Sequence, residues 1–377
     1  MPLPTPTETA VPPPPPPTPN PKYGVVVHTN TTSDNEYFLD TLGADWFLDY
    51  RTELNNVPEG KHKIAYVDMP RDRALWDSGD LVNIATAGDA LIAHWGFTHP
   101  ETIRSIASDN PGTHWYLFGE TNRRGYMHGD RFALVFKYFA ELIRDSDESA
   151  VIISPSILNW DYTCVGCDHL VPCNFSFGTF SLSGYQCGMD WVKAFVAEYM
   201  RIDNGSKPPV DIWAIDVYPL DWQNTPNSIM HAQTAIDQLK GMRNYLNDNG
   251  YPNTPIWITE ISVHVGFDGW QFVGGRFSGT EPYHWDLMSN YMIEVLDWLD
   301  VNAENNKIDK WFFYKTWRDV FGESSDGFMG ISLLDDPAMD MPVNCLGEIY
   351  RTRSLSNTES PPALLKCDAA GNTILAD

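Results

Sequence analysis

From residue 23 onward the chain alternates two hydrophobic rhythms. One is a short run of Val, Ile, Trp, Phe and Tyr, apolar at nearly every position in its middle, as expected of a strand buried on both faces. The other is a longer stretch whose apolar positions recur three and four apart, the stripe of an amphipathic helix. The strand candidates are GADWFLDYR (43–51), KIAYVDMPR (63–71), ALIAHWG (90–96), HWYLFGETN (114–122), AVIISPSILNW (150–160), DIWAIDVYP (211–219), PIWITEIS (255–262) and KWFFYKTWRD (310–319).

The helical stretches fall between them. RDRALWDSGDLVNIATAGD (71–89) is interrupted by Gly79, and HPETIRSIASDNPG (99–112) opens with Pro in its first turn and stops at Asn-Pro-Gly. GDRFALVFKYFAELIRDSD (129–147) carries Phe132, Val135, Phe136, Phe139 and Leu142 on one face. Further helices are expected at 189–203, 227–250, 284–304 and 344–354. Strand and helix alternating eight times predict an α/β fold, a single (β/α)8 barrel. A doubly wound open sheet is the structural rival. There is no internal repeat, and Gly274-Gly275 lacks the pattern of a phosphate-binding loop.

Composition adds the flanks. Eleven of the 28 prolines lie in the first 21 residues, so 1–22 reads as an extended, semi-rigid Pro/Thr-rich linker ahead of a barrel at 23–356. Such a tether suits an extracellular or cell-surface protein whose export signal is absent from this sequence. The last segment, 357–377, has little periodicity and needs an anchor, and a disulfide between Cys345 and Cys367 would tie it to the final helix. The other four cysteines, Cys164, Cys167, Cys173 and Cys187, cluster after the fifth strand. Two disulfides fit an exported protein, and a structural zinc held by the four thiolates is the alternative; no other cofactor is expected.

A formal net charge of −25 disfavours nucleic acid, anionic membrane and polyanionic substrates. No apolar run is long enough for membrane insertion. With 14 Trp and 13% aromatics, flat sugar rings are a natural ligand, and the expected partner is a neutral polysaccharide or oligosaccharide bound by a monomer.

A barrel of this kind keeps its chemistry at the C-terminal ends of its strands. Those ends supply Asp49, Tyr50, Arg51, Asp68, Arg71, His94, Trp95, Glu120, Asn122, Asn159, Trp160, Asp161, Asp216, Tyr218, Glu260, Lys315, Trp317 and Arg318, while the opposite ends are plainer. The stretches WYLFGETN and PIWITEIS place Glu120 and Glu260 at two such ends, 140 residues apart, with DVYP and KTW adding Tyr218 and Trp317. This set resembles clan A of the retaining glycoside hydrolases, most nearly its endo-β-1,3-glucanase type.

The resemblance implies that Glu120 is the general acid/base and Glu260 the nucleophile, with Tyr218 bonded to the nucleophile. It implies substrate contacts at His94, Trp95, Asn122, Trp160, Asp216, Tyr218 and Trp317. The expected reaction is internal cleavage of a β-glucan or β-mannan by double displacement. The chain departs from the clan at Gly119, where an Asn usually binds the sugar 2-hydroxyl, and at Asp216, where His is common. Gly119 keeps open a catalytically inactive sugar-binding barrel or surface protein. Read without the resemblance, the two glutamates could be rim ion-pair residues with Arg71, Arg124 or Lys315. A metal-dependent hydrolase is weakened because no His-x-His follows the first strand.

Overall fold

The computed structural model describes residues 19–29, 31–68, 75–76, 100–123, 127–161, 186–219, 231–262, 285–316, 332–334, 343–356 and 364–376. Among them are eight parallel strands: β1 (Tyr23–Val26), β2 (Trp46–Leu48), β3 (His62–Val67), β4 (His114–Leu117), β5 (Val151–Ile153), β6 (Trp213–Val217), β7 (Ile256–Ile261) and β8 (Ile308–Phe313). They hydrogen-bond in the order β5-β4-β3-β2-β1-β8-β7-β6. Bridges Ile153↔Ile212 and Leu158↔Asp216 join the two ends of this sheet. The result is a (β/α)8 barrel, as the alternation predicted.

The first strand is a correction. The pattern started the barrel at Gly43, whereas Tyr23–Val26 precedes it, wedged between β2 and β8 through Val25↔Phe47 and Val25↔Phe313. Four residues beside a proline-rich tract carry too little pattern to be recognised; two neighbouring strands make them a strand. The candidate at 90–96 lies outside the described residues, and β3 pairs directly with β4 through Tyr66↔Tyr116. Strands four to eight keep the places expected of them. Residues just before β1 are docked: Lys310 donates to the Pro21 carbonyl at 2.8 Å, and the Trp311 N–H donates to that of Lys22 at 3.0 Å.

Seven described helices cover the barrel: α1 (Thr32–Leu42), α2 (Pro100–Asp109), α3 (Gly129–Ser146), α4 (Gly188–Ile202), α5 (Ala232–Asp248), α6 (Trp285–Asn302) and α7 (Cys345–Ser354). The expected helix at 71–89 lies outside the described residues except for Leu75 and Trp76. Helices α3 and α4 pack closely because Gly129 has no side chain: a Cβ there would stand 2.2 Å from the Trp191 carbonyl oxygen. Phe132 fills the gap, stacked on Trp76 and tilted against Trp191.

Of the ten described tryptophans, Trp76, Trp115, Trp160, Trp191, Trp213, Trp257 and Trp311 are buried. Among the described residues the tryptophans that suggested sugar platforms are therefore mainly core, each such ring contributing upward of about 2 kcal/mol of burial. The C-terminal segment forms an antiparallel hairpin, β9 (Leu365–Cys367) with β10 (Thr373–Leu375). Its disulfide from Cys367 to Cys345, with Cα atoms 5.6 Å apart, fastens the hairpin to α7 as expected. Cys187 is also disulfide-bonded, while Cys164, Cys167 and Cys173 lie outside the described residues. No described helix is long and apolar enough to cross a membrane.

Candidate active site

Strain gathers at the C-terminal mouth. Six described residues other than glycine have a positive φ, and three of them stand just beyond strand ends: Tyr50 after β2, and Phe118 and Glu120 after β4; a fourth, Asn159, lies on the segment that follows β5. Each such backbone is held at a cost of about 1–3 kcal/mol and persists only where its surroundings dictate it. After β4 the surroundings are explicit. The N–H of Phe118 donates to Val67, that of Ser156 donates to Phe118, and that of Thr121 donates to Ser156, all within 3.1 Å. The Glu120 N–H meets the Ser156 hydroxyl at 2.9 Å. This folds the chain back into a 3-10 turn, Thr121–Arg123, and puts the Glu120 side chain at the mouth.

Gly119 permits the turn. A Cβ there would lie 3.2 Å from the hydroxyls of both Tyr66 and Tyr116. The space a side chain would need is occupied by two phenols, and the Gly119 N–H donates to that of Tyr66 at 3.2 Å.

Glu260 comes from the other side of the barrel, near the end of β7, and is buried. Both its oxygens accept phenol protons: Oε2 from Tyr218 at 2.5 Å and Oε1 from Tyr50. Burial, then the charge of Glu260, pushes the ionisation of both phenols well above its ordinary range, so they remain donors. Tyr218 is set by Asn159, whose amide accepts from the Tyr218 N–H at 2.9 Å and donates to its carbonyl at 2.7 Å.

Glu120 forms an ion pair with Arg123, three residues on. Arg71 and Arg124, which the sequence also offered as partners, lie outside the described residues; the 3-10 turn after Glu120 is what brings Arg123 round. Burial, then the charge of Glu120, raises Glu260 from 4.5 to about 8, against the two phenols and Arg123. Glu260 is buried, and desolvation penalises its charged form. At neutral pH this environment holds a proton on Glu260 more tightly than water would.

The other expected site residues are distributed unevenly. Asp216 is fully buried beneath the pair, its oxygens engaged by the Ser156 and Thr259 hydroxyls at 2.5 Å each. Asn122 is fully buried too, its amide committed to the Leu158 N–H and carbonyl and to the Gln186 carbonyl. Trp160 points away from the mouth and packs on Tyr245 of α5, where with Met189, Met200 and Asn249 it lines a groove of about 630 Å³ on the outer face. His94, Trp95 and Trp317 lie outside the described residues. Sequence reasoning did not single out Tyr50 or Ser156. Tyr50 stood among the strand-end residues, but nothing in the pattern marked it as a partner of Glu260. His28, just past β1, extends the aromatic wall, with its ring 5.6 Å from that of Tyr50.

Two carboxyls, Glu120 from the turn after β4 and Glu260 from β7, thus meet at the mouth of a (β/α)8 barrel, the second held through both oxygens by two phenols. No family model and no curated protein matches the chain. Among solved structures it is similar to a β-glucosidase from Thermotoga maritima, at 10% identity and a TM-score of 0.55, over 88% of this chain and 87% of that one. It is similar to a monomeric β-xylosidase from Caulobacter crescentus CB15 at 12% identity and a TM-score of 0.50, over 96% and 71%. A GH128 (subgroup II) endo-β-1,3-glucanase from Pseudomonas viridiflava aligns at 16% identity and a TM-score of 0.49, over 88% and 97%. At these identities, what the chain shares with the first two is the fold.

Proposed function

We propose that the protein is a retaining glycoside hydrolase that cuts a neutral β-linked polysaccharide internally. The observation that carries this reading is the pair Glu120 and Glu260, which leave the ends of β4 and β7 for the same mouth, near enough that the charges of Glu120 and of its ion-pair partner Arg123 both act on Glu260. Glu260 in its charged form, oriented by Tyr50 and Tyr218, attacks the anomeric carbon. Glu120, in its protonated form, gives its proton to the departing glycosidic oxygen as that bond breaks. Water then attacks the glycosyl ester, Glu120 takes its proton, and the sugar leaves with its configuration retained. A nucleophile held through both oxygens loses little freedom on reaching the transition state. The chain's charge of −25 supports an uncharged glycan. The disulfides at Cys345–Cys367 and Cys187 and the proline-rich head support an exported monomer tethered at or beyond the cell surface.

The test is incubation with β-1,3-glucan, β-mannan, cellulose and xylan, with product size read by chromatography and the first anomer read by proton NMR. Oligosaccharides released as β-anomers are expected. Release of monosaccharides alone refutes internal cutting, and α-anomers refute retention. Binding without turnover by any glycan would make the protein a sugar-binding barrel. Glu260→Ala should be inactive and recover with azide to give an α-glycosyl azide, while Glu120→Ala should still turn over substrates with good leaving groups.

A further inference from the structure

A third carboxyl lies under the pair, and the proposed reaction consumes nothing from it. Asp216 on β6 is wholly buried. It is faced by Glu260 from β7, by Glu120 from the turn after β4, and by the phenols of Tyr116 on β4 and Tyr50 after β2. No described cation forms an ion pair with it; its partners are the hydroxyls of Ser156 and Thr259. Ser156 is also the residue that shapes the Glu120 turn. Its carbonyl accepts from the Thr121 N–H and hydroxyl, its N–H donates to Phe118, and its hydroxyl accepts from the Glu120 N–H.

The Ser156 hydroxyl has one proton. Tyr116 donates to that oxygen at 2.5 Å and the Glu120 N–H at 2.9 Å, so the serine's own proton is directed at Asp216. Asp216 therefore fixes the rotation of the hydroxyl that supports the left-handed backbone of Glu120. We propose that Asp216 and Ser156 form a positioning unit that aims the general acid Glu120, and that Asp216 serves in it as an uncharged acid.

The contacts around Asp216 accommodate that state. Tyr116 donates to Ser156, Ser156 to one oxygen of Asp216, and the protonated oxygen of Asp216 to Thr259. Thr259 passes its own proton toward the Ile215 carbonyl at 3.4 Å. Burial acts in the same direction, followed by the charges of Glu260 and Glu120; all raise Asp216 well above the carboxylate range, against the two hydroxyls. A charged Asp216 would place a third anion beside the pair.

The inference rests on the glycosidase reading, and the experiment separates the two. Aryl glycosides of the sugar that the parent cleaves are compared across leaving groups from 2,4-dinitrophenol to unsubstituted phenol. Ser156→Ala and Asp216→Ala should slow the phenyl glycoside by ~10-fold or more beyond any loss on the dinitrophenyl one, since a misaimed acid matters only where a proton is needed. Asp216→Asn, which keeps the shape of the neutral acid, should recover most of that difference. Equal slowing on both substrates, or an Asn variant no better than Ala, would overturn the positioning role. Carbon-13 carboxyl NMR decides the charge without turnover: one aspartate signal absent from Asp216→Asn should stay protonated through pH 7, and its ionisation below pH 5 would refute the uncharged form. A parent inactive on every glycan would sink the glycosidase reading instead, with the NMR result still deciding the state of Asp216.

Discussion

Replacing Glu260 by Gln should make the protein more stable, by an amount that depends on pH. The native environment raises this carboxyl from 4.5 to about 8. The folded state therefore binds the proton more tightly than the unfolded chain does. The stability this contributes is fully present below pH 4.5 and is lost as pH rises through about 8. A glutamine, neutral throughout, has no such loss and can still accept from one phenol while its amino group faces the other. At about 1.4 kcal/mol per pH unit, the advantage of the variant reaches on the order of 3 kcal/mol at pH 7 and stays below ~1 kcal/mol at pH 5. With about 2 cal/mol/K of unfolding entropy per residue, a chain of 377 residues converts 3 kcal/mol into a rise of ~4 °C in melting temperature. Differential scanning calorimetry of both proteins at pH 5, 6, 7 and 8 reads this directly. A difference independent of pH, or a variant melting below the parent at pH 7–8, would refute the claim that burial of a charge at Glu260 strains the native site.

The remaining predictions concern other parts of the same framework. Tyr50→Phe and Tyr218→Phe should each lower kcat by ~10-fold or more and move the alkaline limb of the kcat/KM profile upward, because each removes a donor to the charged form of Glu260; an unmoved limb would count against both contacts. Cys345→Ser with Cys367→Ser opens a link spanning 22 residues, which should reduce stability by ~3 kcal/mol in chemical denaturation and expose the β9–β10 hairpin to proteolysis. Burial, with the charges of Lys310 and His62, depresses His114 from 6.5 to about 4. The native state thus favours neutral imidazole, whose contribution is complete above pH 6.5 and is lost as pH falls toward 4. His114→Phe, keeping the stack on Trp257, should flatten the acid side of the melting curve between those values, and an unchanged acid slope would exclude this histidine as its source.

Periodicity is a local property, and the alternation of apolar runs and amphipathic stripes was enough to specify the barrel, the places of strands four to eight and most helices. It also marked Glu120, Glu260 and Tyr218, because a polar residue closing an apolar run stands out against its own neighbours. The tail disulfide was legible for a similar reason: a segment without periodicity needs a covalent anchor. The rest was decided by closure. Tyr23–Val26 is a strand because β2 and β8 stand on either side of it, a fact contained in no four-residue window. Tyr50 reaches Glu260 across 210 residues, and Asp216 meets Ser156 across 60, only once the sheet has curled on itself. Depth was equally invisible in the chain. Asp216, Asn122 and Trp160 have the residue types of a binding site, yet the first two lie within the wall and the third outside it. The proton that Glu260 holds follows from how far it stands from water, and that distance exists only in the folded barrel.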